Sequence, residues 1–250
     1  QKGGDQRPRP YAIQPPADGP RRYDPGAVFS FGLGLFGSAA QLFPYVVMAA
    51  QALGENGIGR PLPELGHRRG RARVEQIAAI QPLKGARQVL YQAGSYAVQA
   101  PGLPVTAVDV AAHAAALPPD RLTLRFLTPL RLVDDQHLVK RLALRPLVQR
   151  LMRRLDDLCI AYGDGPLGLD FGALLDQAAR VETVDDRTRW VDVVSYSARR
   201  NQRTPIGGLV GSVTFEGDMT MLRELLVWGS LVHVGRNAVK GAGWYQITTA

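Results

Sequence analysis

The feature that most constrains this chain is the order of apolar periods between Leu122 and Ile247. Leu122 to Leu127 predicts a strand, and the segment Leu142 to Ile160 repeats leucine at helical spacing, at Leu147, Leu151, Leu155 and Leu158. A short helix is expected around Phe171 to Ala179, then strands at Arg189 to Ser197 and Leu209 to Phe215. Leu222, Leu225, Leu226 and Gly229 mark another helix, and Gly243 to Ile247 a last strand. A β-α-β-β-α-β order is the split βαβ, ferredoxin-like arrangement, so the fold class is α+β. Such a sheet keeps one face free of helices, on which aromatic and basic residues can meet splayed bases.

Upstream, Pro25 to Gly54 holds no charged residue, long enough to pose the question of a membrane span. Phe29, Phe31, Leu33 and Leu35 alternate with small residues, and Leu42, Val46, Ala49 and Leu53 follow at helical spacing. Strand then helix is the reading, with no membrane segment. The Ala/Pro-rich stretch Pro101 to Pro119 separates two patterned halves, which sets a cut at 1–118 and 119–250.

Thirty basic against 22 acidic residues give a formal charge of +8, which favours a polyanion such as nucleic acid. Only Lys2, Lys84, Lys140 and Lys240 are lysines, so 26 are Arg, whose fork suits phosphate. A GC-rich genome explains the Arg excess equally well. One cysteine, Cys159, rules out an internal disulfide and fits a reducing cytoplasm. Four scattered histidines give no metal-ligand spacing, so neither a metal nor another cofactor is expected.

Two basic clusters stand out, His67 with Arg68, Arg69, Arg71 and Arg73, and Arg199, Arg200 and Arg203 in an expected hairpin loop. Each Arg can neutralise a phosphate, and each can equally be a solvated surface charge. Gly235, Gly241 and Gly243 flank Arg236 and Lys240 in a loop able to cup a phosphate with backbone N–H groups. It lacks the Lys and Ser/Thr placement of a Walker loop. His233, just before that loop, is placed for acid–base work, though a lone His between valines is more often structural. Gly32, Gly34 and Gly37 match a dinucleotide fingerprint with Glu55 downstream. The alternating strand before them speaks against a parallel Rossmann sheet, and close backbone packing is the competing reading.

Tyr196-Ser197 with Arg199, the run Pro205 to Asp218, Leu226 and Gly229, His233 to Asn237 and Gly241 to Tyr245 together form a long, ordered signature. It resembles the CRISPR-associated endoribonucleases of the RAMP superfamily that cut precursor CRISPR RNA, the Cas six family. Pro8 to Tyr11, Tyr23 to Gly26, Leu35 to Gly37 and Pro44-Tyr45 are similar to the middle region of that family. The resemblance implies tandem ferredoxin-like (RRM-like) domains, the first incomplete. It also implies metal-independent cleavage by ribose 2′-OH attack, leaving a 2′,3′-cyclic phosphate. Its partners would be CRISPR repeat RNA or guide RNA and other effector subunits. On that reading His233 serves as acid or base, Tyr196 as helper, and Arg199, Arg236 or Lys240 as charge stabilisers. Family members commonly carry the catalytic His on the first helix of the N-terminal domain, and the chain is expected to start after that helix. The alternative reading is therefore a non-catalytic guide-RNA-binding subunit.

Overall fold

The structure is a computed structural model that describes residues 7–16, 22–95, 97–197 and 201–249. By packing, the chain divides into one unit of residues 1–38 with 111–250, and a second of residues 39–110. The cut expected at 118/119 falls within the first unit.

In chain order the elements open with an antiparallel pair, β1 (Tyr11–Gln14) and β2 (Gly32–Leu35). The second unit holds α1 (Phe43–Asn56), the pair β3 (Ile58–Leu62) and β4 (Arg68–Gly70), and the pair β5 (Gln76–Gln81) and β6 (Ala86–Gln92). Helix α2 (Ala107–Ala115) lies inside the Ala/Pro-rich stretch, where no helix was expected. Pro44 opens α1, where a missing N–H costs nothing. Its buried positions are Val47 and Gly54, one residue on from Val46 and Leu53 of the expected stripe, in which Val46 is half-buried and Leu42, Ala49 and Leu53 lie exposed. The reason is that Gly54 meets the Ala72 carbonyl oxygen at 2.3 Å from where a Cβ would stand. Backbone approach, rather than leucine burial, sets that face.

The rest of the first unit follows as β7 (Arg121–Leu130), β8 (Val133–Asp134), β9 (His137–Leu138), α3 (Leu144–Tyr162), α4 (Phe171–Arg180) and β10 (Glu182–Asp186). Then come β11 (Arg189–Val191), β12 (Val194–Ser197), β13 (Gln202–Pro205), β14 (Gly208–Glu216), α5 (Arg223–Val232) and β15 (Tyr245–Thr248). The main sheet runs β10-β14-β7-β15, all antiparallel, with β11 added to β14. This is the ferredoxin-like order, and the structure corrects which strand stands second. It is β10, while the expected strand 189–197 breaks into β11 and β12. Glu182 to Asp186 is an acidic edge strand without apolar alternation, which hides it from a periodicity reading.

Helix α3 buries Leu144, Leu147, Val148, Leu151, Met152, Leu155 and Leu158. Each such side chain stabilises by roughly 1.5–3 kcal/mol when removed from water. Against it lie Leu122, Leu124, Phe126, Val213, Phe215 and Tyr245, all at most 2% exposed. The Tyr245 hydroxyl donates to the Leu226 carbonyl at 2.6 Å. Because the aromatics lie on this buried side, the expected aromatic display on the open sheet face is not found. That face carries Arg121, Thr123, Arg125, Ser212, Thr214, Gln246 and Thr248, with Thr123 and Thr214 hydroxyls bonded at 2.8 Å.

The glycine fingerprint is a packing device. A Cβ on Gly37 (φ +57°) would stand 2.1 Å from the Tyr162 carbonyl oxygen, and β2 pairs antiparallel with β1. No parallel βαβ unit surrounds it, so the dinucleotide reading falls.

Candidate RNA-binding site

Two elements meet at Arg131, the residue after β7. Its carbonyl accepts from the Arg236 N–H at 2.9 Å, and its guanidinium donates to the Gly207 carbonyl at 3.1 Å. The first contact roots the glycine-rich loop 233–243, and the second roots the β12–β13 hairpin.

The loop turns on a series of positive φ angles, at His233 (+61°), Gly235 (+88°), Asn237 (+65°), Gly241 (+93°) and Gly243 (+68°). A Cβ at Gly235 would lie 2.7 Å from the Arg131 oxygen, and at Gly243 1.8 Å from the Val234 oxygen. Only glycine tolerates both the angle and the contact. The amides of Val234, Arg236, Lys240, Gly241, Ala242 and Gly243 already donate to carbonyls of this unit. The expected phosphate cup of bare N–H groups is therefore largely spent on holding the loop, and what reaches solvent is the side chains of Arg236 and Lys240. Arg236 also lines a cleft of about 400 Å³ with Arg150 and Arg153 of α3 and the β8–β9 turn residues Asp134 and Asp135.

The hairpin stands off the sheet. Tyr196 is 59% exposed, its hydroxyl donating to the Asn201 side-chain oxygen at 2.8 Å, and Arg203 lies opposite Tyr196 in register. Arg199 and Arg200 lie outside the described residues.

His233 lies on the inside of the loop with 0% exposure, its ring stacked on Trp244 at 6.0 Å. Among the described residues neither ring nitrogen has a partner in good hydrogen-bond geometry, although the Ala238 and Ala242 backbone favours the charged ring, and one terminal nitrogen of Arg154 is likewise without a partner. Burial, and then the Arg154 charge, pushes His233 down to about 4. The imidazole is thus neutral at pH 7 and out of reach of a ribose. Arg154 is itself lowered to about 10 by burial, its Nε donating to the Val232 carbonyl at 2.8 Å.

The other cluster belongs to the second unit. Arg68 donates to the Leu65 carbonyl at 3.0 Å, Arg69 to the Gly59 carbonyl, and Arg73 pairs with Glu75 at 2.5 Å. Arg71 is exposed and carries no ion pair among the described residues. Sequence reading missed Arg131, Arg150 and Arg153, because nothing in local spacing joins the end of β7 or the polar side of α3 to a loop a hundred residues on. Among the described residues no group of His, Cys, Asp or Glu is gathered as metal ligands, and no helix is long and apolar enough to cross a membrane.

A sheet of this order, with a glycine-rich loop and cations that carry no ion pair among the described residues, is a ferredoxin-like fold suited to a polyanion. Residues 124–245 match the family described as CRISPR-associated endoribonuclease Cas6. Residues 1–103 match a family described as an N-terminal domain. No curated protein matches. Among solved structures, a Cas6 product complex is 18% identical with a TM-score of 0.57, covering 98% of this chain and 84% of that one. Thermus thermophilus Cas6 is 13% identical with a TM-score of 0.54, covering 98% and 81%. A partial Cas6-RT-Cas1–Cas2 complex is 16% identical with a TM-score of 0.61, covering 99% and 40%. These likenesses agree on the fold, and the family match over residues 124–245 supports an endoribonuclease of CRISPR repeat RNA processing.

Proposed function

We propose that this chain cleaves CRISPR repeat RNA without a metal ion, by attack of a ribose 2′-OH on the adjacent phosphate. The bond to the 5′ oxygen of the next nucleotide breaks, leaving a 2′,3′-cyclic phosphate and a 5′-OH. The observation that carries this reading is the meeting at Arg131 of the hairpin, with Tyr196 and Arg203, and the loop, with Arg236 and Lys240. Cations beside a phosphate stabilise the charge that grows on its oxygens in the transition state. Tyr196 offers an exposed hydroxyl within the same hairpin, and Arg199 and Arg200 extend its charge. His233 supports the loop from beneath rather than touching the reacting atoms. Arg68, Arg69, Arg71 and Arg73 add a second run of phosphate contacts, and Gly235, Gly241 and Gly243 let the loop take its shape.

Incubating the protein with repeat RNA in EDTA and resolving the product ends tests this. A single cut with a cyclic phosphate is expected, and a cut that requires Mg²⁺ overturns the mechanism. The burial of the one histidine at this site favours a second reading, a non-catalytic subunit that holds guide RNA for partner proteins such as those of the Cas6-RT-Cas1–Cas2 assembly. Tight binding with no cut in the same assay selects it.

A further inference from the structure

Trp190 of β11 is half-buried and fixed, its indole N–H donating to the Asp192 carboxylate at 2.9 Å. Two cations from distant parts of the chain converge on its ring. The Lys140 ammonium lies 3.2 Å from the ring centroid, and the Arg131 guanidinium lies at 5.7 Å. Neither has an acidic partner among the described residues, and the one carboxylate at the tryptophan is engaged by the indole. Pairing of Trp190 with Leu209 puts the ring beside the start of β14, at the foot of the β12–β13 hairpin. Lys140 is exposed, so the pair is open to a ligand on its outer side.

The ring holds both cations, since the quadrupole of tryptophan attracts positive charge, and neither is neutralised by a carboxylate among the described residues. A phosphate supplies the missing counter-charge. With an ammonium on its face the ring has no room there for a stacked base, so the chemistry offered is charge rather than base stacking. We propose that Trp190 presets Lys140 and Arg131 as a phosphate-binding subsite for the RNA strand passing the foot of the hairpin. This rests on the RNA reading given above and adds to it a contact outside the glycine-rich loop. The subsite acts on binding, and Trp190 is a positioning residue that works through the two cations.

The test uses the full chain and a repeat RNA carrying a 2′-deoxy nucleotide at the cut, so that binding is read without cleavage. Lys140→Gln is expected to weaken binding several-fold at low salt and to reduce the slope of log affinity against log salt by about 0.7–0.9, the share of one phosphate. Trp190→Leu is expected to give a similar reduction with Lys140 still present, and Trp190→Phe to restore most of it. In protein labelled with 5-fluorotryptophan, the resonance lost in Trp190→Phe is expected to shift when the RNA is added. Unchanged affinity and salt slope in both Lys140→Gln and Trp190→Leu, checked as folded by circular dichroism, overturns the subsite while leaving the RNA reading intact. Failure of the wild-type chain to bind repeat RNA overturns both.

Discussion

His233 shows how burial decides what a residue can do. Its folded pKa of about 4 lies below the ordinary 6.5, so between those values the unfolded chain takes up a proton that the folded chain refuses. The stability this group contributes is present in full above pH 6.5 and is lost as pH falls toward 4. The loss amounts to about 3 kcal/mol at 1.36 kcal/mol per unit. Denaturant melts of wild type and His233→Gln at pH 7.5 and 4.5 check it, and the wild type is expected to lose more stability than the variant. Sequence reading found the residue and its loop, because glycine spacing is visible in one dimension. It did not find the ring's direction, because the stack on Trp244 and the neighbouring Arg154 arise from α3 and β15 closing over it. Cys159 is a smaller case. It is half-buried on α3, and partial desolvation raises its pKa.

Elements with a strong period were legible. The leucine stripe of α3, the strands β7 and β14 and the helices α4 and α5 stand where the pattern put them. Those that escaped lack a period to read. β10 is an acidic edge strand, and α2 hides among prolines and alanines. The β12–β13 hairpin was legible as a basic loop, yet that it stands clear of the core follows only from the break at Asp192 and Val193. Within the glycine-rich loop, shape and charge can be separated. Gly243→Ala puts a Cβ 1.8 Å from the Val234 oxygen at a φ of +68°, so a loss of more than about 2 kcal/mol is expected together with loss of RNA binding. Lys240→Gln is expected to weaken RNA binding while leaving the melting temperature within about 2 °C, as for an ordinary surface substitution. Thermal melts alongside RNA titrations distinguish the two, and equal melting temperatures for Gly243→Ala and wild type reject the packing account.

At the scale of the molecule, the +8 charge is distributed unevenly, and much of the basic excess is already answered inside the protein. Arg121 and Arg187 pair with carboxylates, and Arg154 and Arg223 donate to carbonyl oxygens of their own unit. The cations left for RNA are fewer than the composition suggests, and the salt dependence of repeat-RNA binding counts them. A slope of roughly −3 to −5 is expected, at about −0.7 per phosphate on a single strand. A slope near zero removes charge as the basis of recognition. The Ala/Pro-rich stretch suggested two domains in succession, and that the first compact unit is assembled from both sides of the second was not legible there. Its last seam lies between the β1 segment and the 3₁₀ turn at Ala238–Lys240, where a Cβ on Gly241 would stand 2.9 Å from the Ile13 carbonyl oxygen. Ile13 leaves the ribosome long before Gly241 exists, and at ~5–20 residues per second the wait is on the order of ten to fifty seconds. For that interval β1 and β2 are a nascent hairpin with no floor, and the order of synthesis makes the glycine-rich loop the closing clasp of the unit rather than its foundation.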